Sequence, residues 1–196
     1  MYPLIKRLLD IIASSSILLC CAPIMLLSSA LIFYKMGNPV FFIQLRPGKN
    51  KKTFKIYKFR TMINDANLTD EERITSFGKF LRKSSIDELP QLFNVLMGDM
   101  SLIGPRPLLI EYNDHYSQEQ NKRFNIKPGI SGLAQVKGRN ALSWDEKFKL
   151  DVYYVNNVSF LMDLKIFFKT ILVIIGSDGF KNSGEEQTFS ESKHDK

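Results

Sequence analysis

Apolar residues form one long block near the start of the chain and only short patches after it. From Ile11 to Tyr34 there is no charged residue, which satisfies the requirement of about 20 apolar residues for a membrane helix. The later patches alternate with charged residues, as in a folded domain. The pattern predicts a membrane helix over residues 1–36, a folded domain large enough for catalysis over 37–178 and a polar tail over 179–196.

The course of the apolar helix is open on the residues alone. Pro23 lies near its middle, where it removes a backbone donor and favours a kink. Lys6 and Arg7 precede the apolar run and Lys35 follows it. Basic flanks prefer the cytoplasmic side of a membrane, so the helix either crosses once or breaks at Pro23 and returns to the same face.

The shorter patches predict an α+β fold that is mostly α. Two β-rich runs flank a Pro-Gly turn signal and predict a small hairpin with a basic tip. Helical periodicity predicts amphipathic helices, the last of which suits a membrane surface. The predicted strands are Pro39–Gln44 and Thr53–Lys58, the helices are Glu71–Lys83, Gln91–Met97, Leu108–Phe124, Trp144–Tyr154 and Val158–Ile175, and Lys127–Asn140 is a loop or irregular strand.

Charge adds a phosphate-binding hypothesis to this outline. The net charge is +7, and seven bases without an acid lie between Arg46 and Arg60. Such a basic face binds nucleic acid, anionic lipid or a nucleotide-linked substrate, although it can also serve only solubility. Few aromatic residues are interleaved with the bases, which argues against nucleic acid.

Elimination narrows the possible chemistry to carboxylates and arginines. The only histidines are His115 and His194, the second in the polar tail, so a catalytic triad is disfavoured. Neither standard glycine-rich nucleotide loop is present. The adjacent Cys20 and Cys21 fit neither a disulfide nor a metal site.

Asp87 and Glu88 are the carboxylates that the sequence singles out. They can cap a helix, and Pro90 favours a helix start with Asp87 as the N-cap over one with Ser85. An ionised aspartate at such a place can also attack phosphorus. Arg106, held between two prolines, is either a rigid phosphate ligand or an ordinary surface residue.

Four motifs together resemble the bacterial sugar transferase family, in particular its small monotopic phosphoglycosyl transferases of the PglC type, which serve protein glycosylation. The resemblance extends from Lys6 to about Ile175. Its motifs are "YKFRTM" (Tyr57–Met62), "SSIDELPQLFNVLMGDMSLIGPRPLL" (Ser84–Leu109), "KPGISGLAQVKGRN" (Lys127–Asn140) and "KFKLDVYYV" (Lys147–Val155).

The resemblance implies a reaction in which a UDP-sugar gives its phosphosugar to polyprenol phosphate and UMP is released. It implies that Asp87 is the nucleophile, that Glu88 is its partner and a ligand of Mg²⁺, and that the enzyme lies on the cytoplasmic face of the bacterial inner membrane. It also implies a re-entrant helix hinged at Ala22–Pro23. The substrate-binding candidates are Lys58, Arg60, Arg82, Pro105, Arg106 and Arg139, with Asp151 in a supporting motif.

Two other hypotheses remain beside this one. A membrane-anchored basic module would bind anionic lipid or nucleic acid without any covalent step. A multi-span glycosyltransferase is disfavoured because the chain has no second clean apolar span. The sequence leaves the sugar open.

Overall fold

The computed structural model describes residues 2–65, 67–138 and 141–176, and within them it is mostly helical with a small antiparallel hairpin. The α+β class predicted above is therefore confirmed. The helices are α1 (Tyr2–Met36), α2 (Asp70–Arg73), α3 (Ser76–Lys83), α4 (Gln91–Met97), α5 (Gln118–Asn121), α6 (Leu133–Lys137), α7 (Trp144–Asn156) and α8 (Phe160–Ile175). The strands are β1 (Phe41–Pro47), β2 (Thr53–Phe59), β3 (Ser101–Ile103) and β4 (Gly129–Ser131).

Helix α1 is long and apolar enough to cross a membrane. It continues through Pro23 as one helix, so the break predicted at Ala22–Pro23 is not shown. Its central side chains face outward, with Leu19 79% and Leu26 72% exposed. An exposed apolar middle of this size needs a covering, and a lipid bilayer provides one.

Both ends of α1 are bound to the rest of the chain. Near its start, Asp10 is 5% exposed and accepts hydrogen bonds from Ser101 Oγ at 2.8 Å and Leu102 N at 3.0 Å. Near its end, Ile32 packs on Phe59 and Leu81 in a buried cluster. The two ends therefore contact one folded domain.

The predicted hairpin is confirmed, with β1 and β2 antiparallel and in register from Phe41 opposite Phe59 to Pro47 opposite Thr53. Helix α4 is fastened to β2 by the buried side chain of Asn94. Its Oδ1 accepts from Tyr57 N at 3.1 Å, and its Nδ2 donates to the carbonyl of Lys55 at 2.7 Å. These bonds fix the register of α4 along β2.

The predicted helices differ most where short polar residues cap the backbone. Thr75 accepts from Gly78 N and begins α3, so the predicted Glu71–Lys83 helix is two helices. Ser117 forms a capping box that begins α5, and 3₁₀ turns occupy much of the predicted Leu108–Phe124 helix. Capping residues favour such local breaks over a continuous helix.

The other predicted helices match the structure closely. Helix α4 has the bounds predicted for it and ends at Gly98, whose φ of 94° suits glycine. Helices α7 and α8 begin after the caps Ser143 and Ser159. The segment expected to be a loop or irregular strand contains β4 and α6, and β4 pairs in parallel with β3, a pairing that the sequence did not predict.

Candidate active site

The two carboxylates lie in a 3₁₀ turn, Ile86–Glu88, directly before α4. Ser85 precedes the turn with φ of 56° and makes no side-chain cap. The prediction that Asp87 is the N-cap is therefore wrong, because Asp87 lies inside the turn. The tighter turn accommodates Pro90, which has no N–H to contribute to the hydrogen-bond ladder.

Two cations meet at one oxygen of Glu88. Lys58 Nζ on β2 lies 2.8 Å from Glu88 Oε1, and Arg106 Nη2 lies 2.7 Å from the same oxygen. The Asn94 bonds hold α4 against β2, and the Glu88 side chain, one turn before α4, thus meets Lys58. The side chain of Arg106 is 42% exposed.

Backbone packing fixes the segment that carries Arg106. The Pro105 carbonyl accepts from Gly129 N at 3.0 Å, and Gly104 N donates to the Ser131 carbonyl at 2.9 Å. A Cβ on Gly129 would lie 2.1 Å from Gly104 N, so no larger residue fits there. Together with the flanking prolines, these contacts restrict where the Arg106 side chain begins.

The surroundings shift the pKa values of the two carboxylates in opposite directions. Burial, and then the charge of Glu88, raise the pKa of Asp87 to about 6 against the opposing effect of Lys58, Arg106 and Arg82. Burial alone would raise the pKa of Glu88, but Arg106 and Lys58 outweigh it and hold the pKa well below its usual range. Neighbouring acids with such different pKa values commonly have different chemical roles.

Asp151 lies behind Arg106 rather than beside the carboxylates. Its side chain is 7% exposed and pairs with Arg123, whose Nη2 lies 2.9 Å from Asp151 Oδ2. The same Nη2 donates to the Arg106 carbonyl at 2.6 Å. Asp151 therefore binds Arg123, and Arg123 in turn binds the backbone of Arg106. Because Asp151 is buried, its position does not support direct contact with a substrate.

The remaining candidates lie in different places. Arg82 donates from Nε to Thr61 Oγ1 at 2.9 Å and is near enough to lower the pKa of Asp87. Arg60 is 6% exposed and donates to the carbonyls of Met36, Gly37 and Asn38. Its guanidinium thus binds the carbonyls at and just after the end of α1, so the role of Arg60 is structural. Arg139 lies outside the described residues.

The carboxylates fit a metal ion that a substrate helps to hold. No group of three or more His, Cys, Asp or Glu side chains in residues 2–65, 67–138 and 141–176 could hold one unaided. Both cations bind Glu88 at Oε1, which leaves Oε2 for a metal. Proteins commonly bind Mg²⁺ through one or two carboxylates together with substrate phosphates, so this pair suits Mg²⁺ in that mode.

Sequence reasoning missed the residues that support the site. Arg123 lies in the exposed-looking stretch "NKRFN", yet its guanidinium is buried beside the rings of Tyr116, Phe124 and Phe148, each about 5.5 Å away. Asn94 lies on a helix with no unusual pattern. The available signal for Arg123 was the density of aromatic residues near it, since aromatic faces favour a guanidinium.

These features describe two carboxylates beside two cations, on a domain attached to a long apolar helix. The chain belongs to the bacterial sugar transferase family, whose model matches residues 1–177. The match includes both α1 and the carboxylate pair. It therefore spans every element that forms the candidate site.

The relatives that the chain resembles have the names of sugar transferases or sugar phosphotransferases. The chain is 49% identical over 185 residues to the uncharacterized sugar transferase EpsL of Bacillus subtilis, covering 92% of each chain. It is 38% identical over 200 residues to an undecaprenyl-phosphate galactose phosphotransferase of Salmonella typhimurium, covering 89% of this chain and 41% of that protein. It is 41% identical over 191 residues to a UDP-N-acetylgalactosamine-undecaprenyl-phosphate N-acetylgalactosaminephosphotransferase of Aeromonas hydrophila, covering 91% and 45%. The chain spans less than half the length of these last two relatives.

Proposed function

We propose that this protein is a phosphoglycosyl transferase that moves a phosphosugar from a UDP-sugar to polyprenol phosphate, an early membrane step in glycoconjugate assembly. The observation that carries the proposal is the pairing of Asp87 with a permanently ionised Glu88 under Lys58 and Arg106. The names of the Salmonella and Aeromonas relatives support the same general reaction. Those relatives act on different sugars, so the sugar is not assigned.

The proposed first step is attack by an oxygen of the Asp87 carboxylate on the phosphorus that bears the sugar. A new P–O bond forms to Asp87, and the bond between this phosphorus and the oxygen bridging to UMP breaks. UMP leaves with that oxygen and its electron pair. No proton is needed, because a pKa of about 6 leaves Asp87 mostly ionised at neutral pH.

The proposed second step returns the enzyme to its starting state. An oxygen of polyprenol phosphate attacks the same phosphorus, and the bond to Asp87 breaks. The products are polyprenyl-diphosphate-sugar and the free carboxylate. A covalent intermediate of this kind divides one difficult transfer into two easier ones.

Lys58 and Arg106 have the positions to stabilise the charge that moves through these steps. Both lie within 2.8 Å of the same Glu88 oxygen, and ammonium and guanidinium groups form strong charge-assisted hydrogen bonds to phosphate oxygens. Glu88 keeps the two cations together when no substrate is bound. A Mg²⁺ held by Glu88 and the diphosphate would supply Lewis-acid stabilisation of the leaving UMP.

The attachment of α1 supports a re-entrant course. Arg7 donates to the carbonyls of Val95 and Leu96, while Arg60 donates to those at the end of α1. A helix with its two ends on opposite sides of a bilayer could not contact one domain at both ends. We therefore propose that both ends lie on the cytoplasmic face of the bacterial inner membrane, beside the polyprenol phosphate.

Intact mass spectrometry tests the chemistry. Protein incubated with Mg²⁺ and a UDP-sugar, without polyprenol phosphate, should gain the mass of one phosphosugar and release UMP. Peptide mapping should place that mass on Asp87. Added polyprenol phosphate should remove it, and a chelator should prevent its formation. Turnover without any adduct, or no reaction with any UDP-sugar, would contradict the proposal.

Labelling in oriented vesicles tests the topology. A cysteine placed at position 2, in a background with Cys20 and Cys21 replaced by serine, should react with an impermeant reagent only after right-side-out vesicles are opened. A cysteine replacing the exposed Lys52 on the domain provides the matched control for the inner face. Labelling of position 2 from outside would contradict the re-entrant course.

A further inference from the structure

A cleft of about 330 Å³ opens beside the carboxylate pair. Four of its lining residues are polar, namely Arg46, Lys58, Gln91 and Arg106. Lys58 and Arg106 already bind Glu88, so the cleft begins at the reacting end of the site. Its volume is within the range of small-molecule pockets, which starts at roughly 300 Å³.

Two buried donors among the lining residues have no partner in the described parts of the chain. Gln91 is 2% exposed, and its Nε2 makes no hydrogen bond to any residue that the structure describes. The same is true of Arg46 Nε, although Arg46 Nη2 donates to Gln44 Oε1 at 2.6 Å. Leaving a buried donor unsatisfied costs free energy. Two such donors on one cleft therefore indicate a ligand that carries acceptor atoms.

The other residues that line the cleft are apolar or aromatic. They include Leu108, Tyr112 and Trp144, and the last two rings make an edge contact with centroids 5.9 Å apart. A lining of this kind suits the flat surface of a base more than a hydrated sugar. The lining of the cleft thus combines cations and N–H donors with apolar and aromatic surface.

The elements that line the cleft indicate which of the two substrates it binds. They come from β1, β2, α4, α7 and the segment after β3, and none of them belongs to α1 or α8. Those two helices carry exposed apolar side chains such as Leu26 and Leu172, 72% and 68% exposed, where a lipid substrate would approach. The cleft therefore suits the water-soluble substrate.

We infer that the cleft receives the nucleoside diphosphate half of the donor, and that Gln91 and Arg46 are specificity residues which donate hydrogen bonds to it. This inference rests on the proposed function, since it assigns a position to the donor of that reaction. Gln91 lies three residues after Glu88, so it contacts the end nearest the carboxylates. Arg46 lies on β1 of the hairpin and contacts the ligand from that strand.

Calorimetric titration of the full chain in lipid nanodiscs with UDP and Mg²⁺ tests the inference. Gln91→Met keeps the side-chain length but removes the N–H donors, and Arg46→Lys keeps the charge but removes Nε–H. Each variant should bind UDP roughly 10–100-fold more weakly, the value of a hydrogen bond to a charged group. The apo form of Gln91→Met should melt no lower than the wild type, because an unsatisfied buried group is removed.

Trp144 locates the ligand because it is the chain's single tryptophan. Its emission should change over the same UDP concentrations as the calorimetric signal, and UDP should bind more tightly than inorganic diphosphate, which lacks a base. The control is Gln135→Met. Gln135 lies on α6, and its side-chain amide donates to the Ile130 carbonyl at 3.0 Å. This variant should leave UDP binding unchanged.

Kinetics completes the test. For Gln91→Met, the KM for the UDP-sugar should rise while the KM for polyprenol phosphate stays the same. Unchanged UDP affinity in both variants, a silent Trp144, or a KM effect confined to polyprenol phosphate would overturn the inference. UDP binding that follows the predicted pattern without any UMP release from UDP-sugars would overturn the proposed function and leave the cleft assignment intact.

Discussion

The active site and the junction between α1 and the domain both bury aspartates, but they treat them differently. Asp87 is 8% exposed, Asp10 is 5% and Asp163 is 8%. At the junction, Asp10 accepts from Ser101 and Leu102, and Asp163 accepts from Tyr2, Lys6 and Tyr154. Asp87 receives no hydrogen bond from any described residue.

This difference separates structural carboxylates from a reactive one. A buried carboxylate is stable when donors surround it, and it then holds those donors in place. The junction uses this to join α1, β3, α7 and α8. Asp87 instead bears the cost of burial without such donors, which is consistent with an oxygen kept available for a bond to phosphorus.

Replacing Asp87 should give the largest effect and would sharpen this contrast most. Asp87→Asn preserves the shape of the side chain but removes the nucleophile, so UMP release should fall by roughly 1,000-fold or more. The adduct should be undetectable by intact mass. Asp114→Asn, an exposed aspartate in the 3₁₀ turn before α5, is the control and should retain full activity. Full turnover by Asp87→Asn would make the nucleophile assignment wrong.

Replacing Asp163 should lower the stability of the protein, whereas replacing Asp87 lowers its activity. Asp163→Ala leaves Lys6 without its ion-pair partner. It also removes the nearer acceptor of the buried Tyr154 hydroxyl, at 2.6 Å, and leaves only the Ile103 carbonyl at 3.2 Å. Breaking a buried charged network of this kind costs about 3–5 kcal/mol. Thermal unfolding in nanodiscs should show a markedly lower midpoint than the wild type.

Asp114→Ala provides the matched control for Asp163, because it removes a carboxylate from an exposed position. Its midpoint should equal that of the wild type. The contrast between the two regions would break down if Asp163→Ala were as stable as this control. It would also break down if Asp163→Ala folded normally yet lost the covalent adduct.

The fold was predictable where one periodicity or one strong signal dominates. The apolar run gave α1, the Pro-Gly turn between β-rich runs gave the hairpin, and Gly98 marked the end of α4. The β3–β4 pair was not predictable, because each strand has three residues and they are held together by close glycine packing. Such contacts between distant segments leave no local pattern.

The residues of the site were predictable from motifs, but the local backbone structure and the contacts that hold them were not. The sequence singled out Asp87, Glu88 and Arg106, yet the capping argument placed Asp87 one step outside the turn that contains it. The left-handed Ser85 explains the error, since its φ of 56° starts a 3₁₀ turn without a cap. The structural roles of Arg60 and Arg123 depend on carbonyls supplied by remote segments, which a single sequence cannot reveal.

The smallest effect concerns how the stability of the two regions depends on pH. The fold raises the pKa of Asp87 from near 3.8 to about 6, so it favours the protonated form. Its contribution to stability is present below the unfolded pKa and is lost as the pH rises through about 6. Asp87→Asn has no charge at either pH, so the variant should become more stable than the wild type across this window, by about 2–3 kcal/mol when complete.

Thermal unfolding of both proteins in chelator-treated nanodiscs, from pH of about 4 to about 7, measures this difference without a metal ion near the carboxylates. The melting curves should nearly coincide at the acid end and separate progressively until just above pH 6, the pKa of Asp87. Glu88 stays ionised in the folded state of both proteins, because its pKa is held well below the window, so its contribution cancels from the difference between them. A constant difference, or a wild type that gains stability relative to Asp87→Asn as the pH rises, would show that Asp87 is satisfied by the fold in the same way as Asp10 and Asp163.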